Sequence, residues 1–284
     1  EPDTGLGRAA LSALGGPTAG GKVDARRRVE ADDGTVLDVW IIQGRDASGL
    51  VVRPAPRKKT VVLLHPMLMS KAWWLPLGRR LAADGYDVVL PDLRAHGRSG
   101  GQYVTWGALE KTDIRSILDA VITEDMLSRD VYVVGASLGG CVAIQYAAVD
   151  PRCKGVLALA PPTGVEGVAR RMSPFSSQSQ LDDTLIRAET MASFDRDQAS
   201  AVKAAEKLKC PLILVHGLFD MVVPVRHSEK IYAAATGPKQ FIKLALAGHT
   251  TVQVGREAWI AERIAELGKM ASAPPAQAKP SSPD

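Results

Sequence analysis

The residues most able to do chemistry sit in Val131-Tyr-Val-Val-Gly-Ala-Ser-Leu-Gly-Gly140. Val131–Val134 reads as a short buried strand and Cys141–Ala148 as a helix, which leaves Gly135-Ala-Ser-Leu-Gly139 as the turn between them. A serine there is lifted out of the sheet on a tight, strained bend. Its neighbours two residues away must have almost no side chain. The Leu138 N–H falls at the start of the helix, where backbone donors are unpaired and the dipole favours a developing anion. Ser137 therefore has the setting of a nucleophile for acyl transfer, with Leu138 as one oxyanion donor.

A serine hydroxyl needs a general base, and histidine is the usual one near neutral pH. The chain has five histidines. His65 ends a strand before Pro66 and belongs to a turn. His96 lies in a Gly/Arg loop and reads as a packing or loop-bonding residue. His216 ends a buried strand, and His227 opens a helix and is expected to be exposed. His249, in Leu246-Ala-Gly-His-Thr250, follows the last predicted strand, and Gly248 lets its loop turn inward. We assign it as the base. The acid that orients the imidazole is Asp220, in His216-Gly-Leu-Phe-Asp-Met-Val-Val-Pro224, which satisfies the chain order Ser, acid, His. Glu166, after the preceding strand, is the alternative acid. Asp92 precedes the serine and reads as a residue bracing its own loop. The second oxyanion donor should come from the loop after Thr60–His65, and because Pro66 has no N–H, Met67 is the candidate.

These residues converge only if the elements between them form the right sheet. Val23–Glu30 and Thr35–Gln43 flank Asp33-Gly34, a hairpin signal. Thr60–His65, Tyr86–Leu90, Val131–Val134, Gly155–Ala160, Leu212–His216 and Gln240–Leu246 read as strands, most of them too apolar to have a wet face. Helical spacing appears over Lys71–Asp84 (with Pro76 favouring a later start), Ala108–Ile122, Cys141–Ala148, Arg226–Ala235 and Val252–Leu267. Residues 163–209 interrupt this rhythm with two expected helices, Leu181–Met191 and Gln198–Leu208. The alternation predicts an α/β fold whose mostly parallel sheet is covered on both faces. Right-handed crossovers then bring the loops after His65, Asp92, Ser137, Ala160, His216 and Leu246 to one carboxyl edge.

The composition, 46% hydrophobic and 23% charged over 284 residues, is that of a globular protein. No apolar run reaches the roughly 18 residues of a membrane span. A net charge of +4 is spread over separate clusters, Arg26–Arg28, Arg57–Lys59 and Arg170–Arg171, with no interleaved aromatics, which argues against a nucleic-acid partner. Gly16-Pro-Thr-Ala-Gly-Gly21-Lys22 imitates a phosphate loop, but Val23 stands where Ser or Thr is required and no buried strand precedes it. Residues 1–22 are expected to lie loosely on the surface and 271–284 to be disordered, leaving one domain over 23–270. Cys153 and Cys210 each precede a predicted strand and would bridge if those strands are neighbours. That prospect, and a chain opening on Glu1 instead of Met, point to a secreted or periplasmic compartment over the cytoplasm.

Taken together, Gly135-Ala-Ser-Leu-Gly139, His216-Gly-Leu-Phe-Asp220 with Val223-Pro224, Gly248-His249 and Asp92-Leu-Arg-Ala-His-Gly-Arg-Ser99 resemble the α/β-hydrolase superfamily over about residues 24–270. The resemblance is nearest to small esterases, monoacylglycerol lipases and S33-type peptidases. It implies an eight-stranded sheet with a short helical cap, residues 163–209, after the sixth strand. It implies a two-step acyl transfer on a small-molecule ester by Ser137, His249 and Asp220, with no metal or organic cofactor. Pro66-Met67 departs from the His-Gly form common at that turn. Met69, Trp73 and Trp106, with Met67, are candidates to line the acyl or alcohol pocket. The competing readings are a peptidase or amidase, using cap acids such as Asp182, Asp183, Glu189, Asp195 or Asp197 to hold an amine, and a non-catalytic binding protein on the same fold.

Overall fold

The computed structural model describes residues 23–51, 59–124 and 127–272. The N-terminal segment 1–22, including the phosphate-loop imitation, and the tail 273–284 lie outside the described residues. The chain enters through an antiparallel hairpin, β1 (Ala25–Glu30) and β2 (Val36–Ile42). Gly34, at φ 80°, makes the turn possible, and the Thr35 N–H donates to Asp33 Oδ1. Then follow β3 (Thr60–Leu64), α1 (Leu75–Ala83), β4 (Asp87–Pro91), α2 (Glu110–Glu124), β5 (Val131–Ala136), α3 (Leu138–Ala147) and β6 (Cys153–Leu159). The insertion between β6 and β7 carries α4 (Val165–Met172), α5 (Gln178–Ala192) and α6 (Ala201–Ala205). The chain closes with β7 (Leu212–Gly217), α7 (Arg226–Ala234), β8 (Lys239–Leu244) and α8 (Glu257–Ser272).

The eight strands form one sheet in the order β1-β2-β4-β3-β5-β6-β7-β8, and every pairing from β4 to β8 is parallel. Strands β3, β4, β5 and β7 are buried along their whole length, as central strands covered on both faces must be. Their side chains alternate between two cores. Val62, Leu64 and Val133 pack with α2 and α3 residues such as Ile114, Leu118 and Ile144. Val61, Leu63 and Val134 point the other way, to Leu77 and Leu81 of α1 and Ile260 and Ile264 of α8. The outer strand β8 exposes Lys243 and leaves its other positions only half-buried, which blunts an open edge.

Several boundaries differ from the sequence reading. Lys71–Trp74 is a 3-10 turn and α1 starts at Leu75, with Pro76 in its first turn. Strand β8 stops at Leu244, and Leu246, expected inside it, is 91% exposed. The last helix starts at Glu257, five residues later than its apolar spacing suggests, because residues 249–255 form turns closed by Gly255 at φ 69°. It then runs to Ser272, past the expected start of the tail. In the insertion, helix α4 had no counterpart in the expectation. It is short and interrupted by Gly167, so its spacing carries little signal. Helix α6 and Leu208 pack into the main core, while α4 and α5 share a small core of their own, Val165, Leu185 and Ala199 on Ala108, with Trp106, Ala169 and Phe194 packed around it.

The strands after Cys153 and Cys210 are neighbours, but the cysteines are not bridged. Both are thiols with their sulfurs 4.0 Å apart.

Candidate active site

Strand β5 is followed without a spacer by α3, and Ser137 takes the connecting position at φ 51° and ψ −117°. A side chain with φ in this region is strained. Packing holds it there. A Cβ on Gly135 would lie 2.1 Å from Gly139 O, and one on Gly139 would lie 2.2 Å from Leu64 O. The bend therefore closes only with glycine at both places. Helix α3 is buried from Leu138 to Tyr146, which fixes the axis of its N-terminus.

The loop after β8 carries His249 onto this bend. Ser137 Oγ donates to His249 Nε2 at 3.0 Å, and His249 Nδ1 donates to Asp220 Oδ2 at 2.7 Å. Ser137 is 8% exposed and Asp220 5%, so the pair sits at the floor of the carboxyl edge and not on its surface. Asp220 lies three residues beyond β7 and is held on every side. Its Oδ1 accepts the N–H groups of Val222 at 2.9 Å and Val223 at 2.8 Å. Its Oδ2 also faces His216 Nε2 at 3.3 Å. Burial alone would raise this carboxyl, but the hydrogen bonds from His216, His249 and Val223 outweigh it and hold the group well below the usual carboxylate range. It stays an anion that accepts the His249 Nδ1–H, with the His216 ring edge beside it.

The sequence reading missed His216 as a neighbour of this carboxylate. The residue is fully buried, accepts from Ser228 Oγ at Nδ1 (2.7 Å) and directs its Nε2–H to Val223 O at 2.7 Å. Its place four residues before Asp220, at the end of a strand, was the available signal. Glu166, the alternative acid, is exposed in the first turn of α4, and the His249 Nδ1 bond goes to Asp220 instead.

Among the described residues, neither the Leu138 nor the Met67 N–H donates to a protein acceptor, so both are free for a ligand. The Met67 loop is braced by two neutral histidines. His65 Nδ1 donates to Pro66 O at 2.8 Å while its Nε2 accepts the Leu93 N–H at 3.0 Å. His96 Nδ1 donates to Arg94 O at 2.9 Å, and its Nε2 accepts the N–H of Leu68, which has φ 65°. Burial first, and then each other's proximity, hold the His65 imidazole down to about 4, and burial also lowers His96. Asp92 ties the same loop to its neighbour by accepting the Lys71 and Arg98 N–H groups at 2.8 Å. The buried Lys71 ammonium pairs with both Asp92 and Asp38.

Of the proposed pocket residues, Met67, Trp73 and Trp106 are half-buried against the cores, as is Met69 in its loop. Trp73 Nε1 donates to Gln253 Oε1 at 3.2 Å, which anchors the segment just after His249. Trp106 lies where the insertion meets the sheet. His227 is buried at 7% instead of exposed. Its Nδ1 accepts the Thr163 N–H at 3.2 Å, and α4 comes so close that a Cβ on Gly167 would lie 2.8 Å from its ring. A cleft of about 610 Å³ opens among α4, α5 and α6, lined by Gly167, Leu181, Leu185 and Val202, apart from Ser137.

Comparison with known proteins places the chain among relatives. A model of the alpha/beta hydrolase family matches residues 61–263. The uncharacterized protein YfhR of Salmonella typhi is 32% identical over 233 residues, covering 80% of this chain and 75% of that protein. A monoacylglycerol lipase of Mycolicibacterium smegmatis is 26% identical over 228 residues, covering 68% of this chain and 77% of the lipase. The structure of the Pyrococcus furiosus esterase Pf2001 superposes with a TM-score of 0.65 at 23% identity, over 90% of this chain and 98% of that one.

Proposed function

The chain belongs to the alpha/beta hydrolase family, and within it we propose a serine hydrolase that cleaves carboxylic esters of small to medium acyl groups through an acyl-enzyme. The observation that carries the reading is the unbroken relay from Ser137 Oγ to His249 Nε2 at 3.0 Å and from His249 Nδ1 to Asp220 Oδ2 at 2.7 Å. Each member is within general-base distance of the next before any substrate arrives.

In this mechanism Ser137 Oγ attacks the ester carbonyl while His249 Nε2 takes its proton. Asp220 holds the imidazole in the Nδ1–H tautomer and stabilises the imidazolium. The Leu138 and Met67 N–H groups receive the oxyanion, and the α3 N-terminus adds its dipole. His249 then returns the proton to the leaving alcohol. Water deacylates Ser137 by the same steps with His249 again as base. Met69, Trp73 and Trp106 are proposed to line the acyl or alcohol side. The amine-binding alternative has little support, since Asp182 and Glu189 face Arg196 and Asp197 pairs with Lys203.

Incubation with a fluorophosphonate probe and p-nitrophenyl acetate tests the reading. The wild type is expected to label and turn over, and Ser137→Ala to do neither. Labelling that survives the substitution overturns the nucleophile assignment.

A further inference from the structure

At the end of the sheet remote from Ser137, two sulfurs face each other. Cys153 opens β6, and Cys210 lies two residues before β7. The Val156 N–H donates to Pro211 O at 2.9 Å, so the two strand starts are held side by side. The sulfurs are 4.0 Å apart, with Cys153 5% and Cys210 8% exposed. Bonding distance is about 2 Å, so each sulfur has to move by about 1 Å, within reach of small side-chain rotations. The pair is not sealed. A cleft of about 620 Å³ opens here, lined by both cysteines and by Lys154, Lys207 and Lys209. Asp150 on the same wall is neutralised by Arg152 at 2.6 Å.

We propose that Cys153 and Cys210 are a reactive dithiol, which an anionic low-molecular-weight disulfide, drawn into the cleft by its lysines, oxidises to an intrachain disulfide. The two thiols have different parts. The hydrogen bond between the sulfurs, together with burial, keeps the proton on Cys153, and the same bond favours the thiolate on Cys210. The Cys210 thiolate attacks one sulfur of the reagent RSSR, forming Cys210–S–S–R and expelling RS⁻. Cys153 then loses its proton, attacks the Cys210 sulfur and expels the second RS⁻. The protein gives up two electrons and two protons, and RSSR becomes two RSH. Cys141, the third thiol, is pushed up to about 12 by burial inside α3 and stays out of the exchange.

The new bond closes a loop that contains strand β6 and the whole insertion 163–209, and it joins that loop's ends at the base of the sheet. It leaves the carboxyl edge untouched. Oxidation is therefore expected to raise the thermal midpoint by about 5 °C or more and to leave ester turnover within about twofold.

The experiment treats the reduced protein with oxidised glutathione, then denatures and alkylates it. The expected product has one alkylated thiol, Cys141, and a cross-linked pair of peptides containing Cys153 and Cys210. Cys153→Ala is expected to stop at a glutathione adduct on Cys210, and Cys210→Ala to keep two alkylated thiols. Cationic cystamine is expected to react about tenfold more slowly than oxidised glutathione, and Lys207→Ala with Lys209→Ala to narrow that gap. Three alkylated thiols in the treated wild type overturn the dithiol, and equal rates for the two reagents overturn recruitment by the lysines.

Discussion

Replacing Asp220 by asparagine tests the relay with almost no change in shape, and the structure fixes how the amide must sit. The two acceptor bonds at Oδ1, from the Val222 and Val223 N–H groups, require an oxygen there. Turning the amide over would leave both donors facing an NH2, and the buried one at Val223 alone would cost about 1–3 kcal/mol. The NH2 of the substituted side chain therefore occupies the place of Oδ2 and points at His249 Nδ1. His216 keeps its own acceptor in Val223 O at 2.7 Å. A donor facing Nδ1 drives His249 into the Nε2–H tautomer, which donates to Ser137 Oγ and can no longer take its proton. The base is present, correctly placed and wrongly protonated.

For this change a loss of about 10 000-fold in kcat is expected, or about 5.5 kcal/mol of transition-state stabilisation. The assay is p-nitrophenyl acetate hydrolysis, normalised to folded protein, with fluorophosphonate labelling as a second reading of serine reactivity. Both should fall together, while the thermal midpoint stays within about 5 °C. Glu166→Gln, in the exposed first turn of α4, is the matched control and should leave kcat within about twofold. An Asp220→Asn protein that keeps more than about a tenth of wild-type kcat, or a Glu166→Gln protein that loses it, refutes the tautomer reasoning.

Gly135→Ala places a Cβ 2.1 Å from Gly139 O, so the bend cannot close; a loss of more than about 3 kcal/mol is expected, read as a lowered urea midpoint or insoluble protein. His96→Ala removes the acceptor of the Leu68 N–H and loosens the loop carrying Met67. It should lower kcat about tenfold at nearly constant KM, and an unchanged kcat would dissociate this loop from oxyanion binding. Lys71→Met leaves the buried Asp92 and the half-buried Asp38 without their cation and should cost about 3–5 kcal/mol in chemical denaturation. His65 titrates near 6.5 when unfolded and about 4 when folded, so the unfolded chain binds more protons between these values. Its contribution, on the order of 3 kcal/mol, is complete above about pH 6.5 and lost as pH falls toward 4; urea midpoints that do not fall between pH 7 and 4.5 would contradict it.

How far the sequence could be read depends on whether a residue's role is imposed by the backbone or by a neighbour distant along the chain. Gly135, Ser137 and Gly139 were legible because the bend is local: each glycine is required by an atom a few residues away or on the adjoining strand. The strands were legible for a related reason, since a central parallel strand must be apolar on both faces and few other segments are. His216 and His227 were not, because burial and bonding come from partners that no spacing rule connects to them. His227 lies 64 positions from Thr163, whose N–H it accepts, and a charged helix opening gave every local indication of exposure. The insertion 163–209 was least legible of all. Helix α6 and Leu208 join the main core, but around α4 and α5 the separate core is four buried apolar residues, one of them outside the insertion. Helix α5 is marked in the sequence by its cap, Ser177 with Gln180, more than by an apolar face. A bond between Cys153 and Cys210 would close a covalent loop around β6 and this segment, joining the start of β6 to the chain just past the segment's buried end at Leu208.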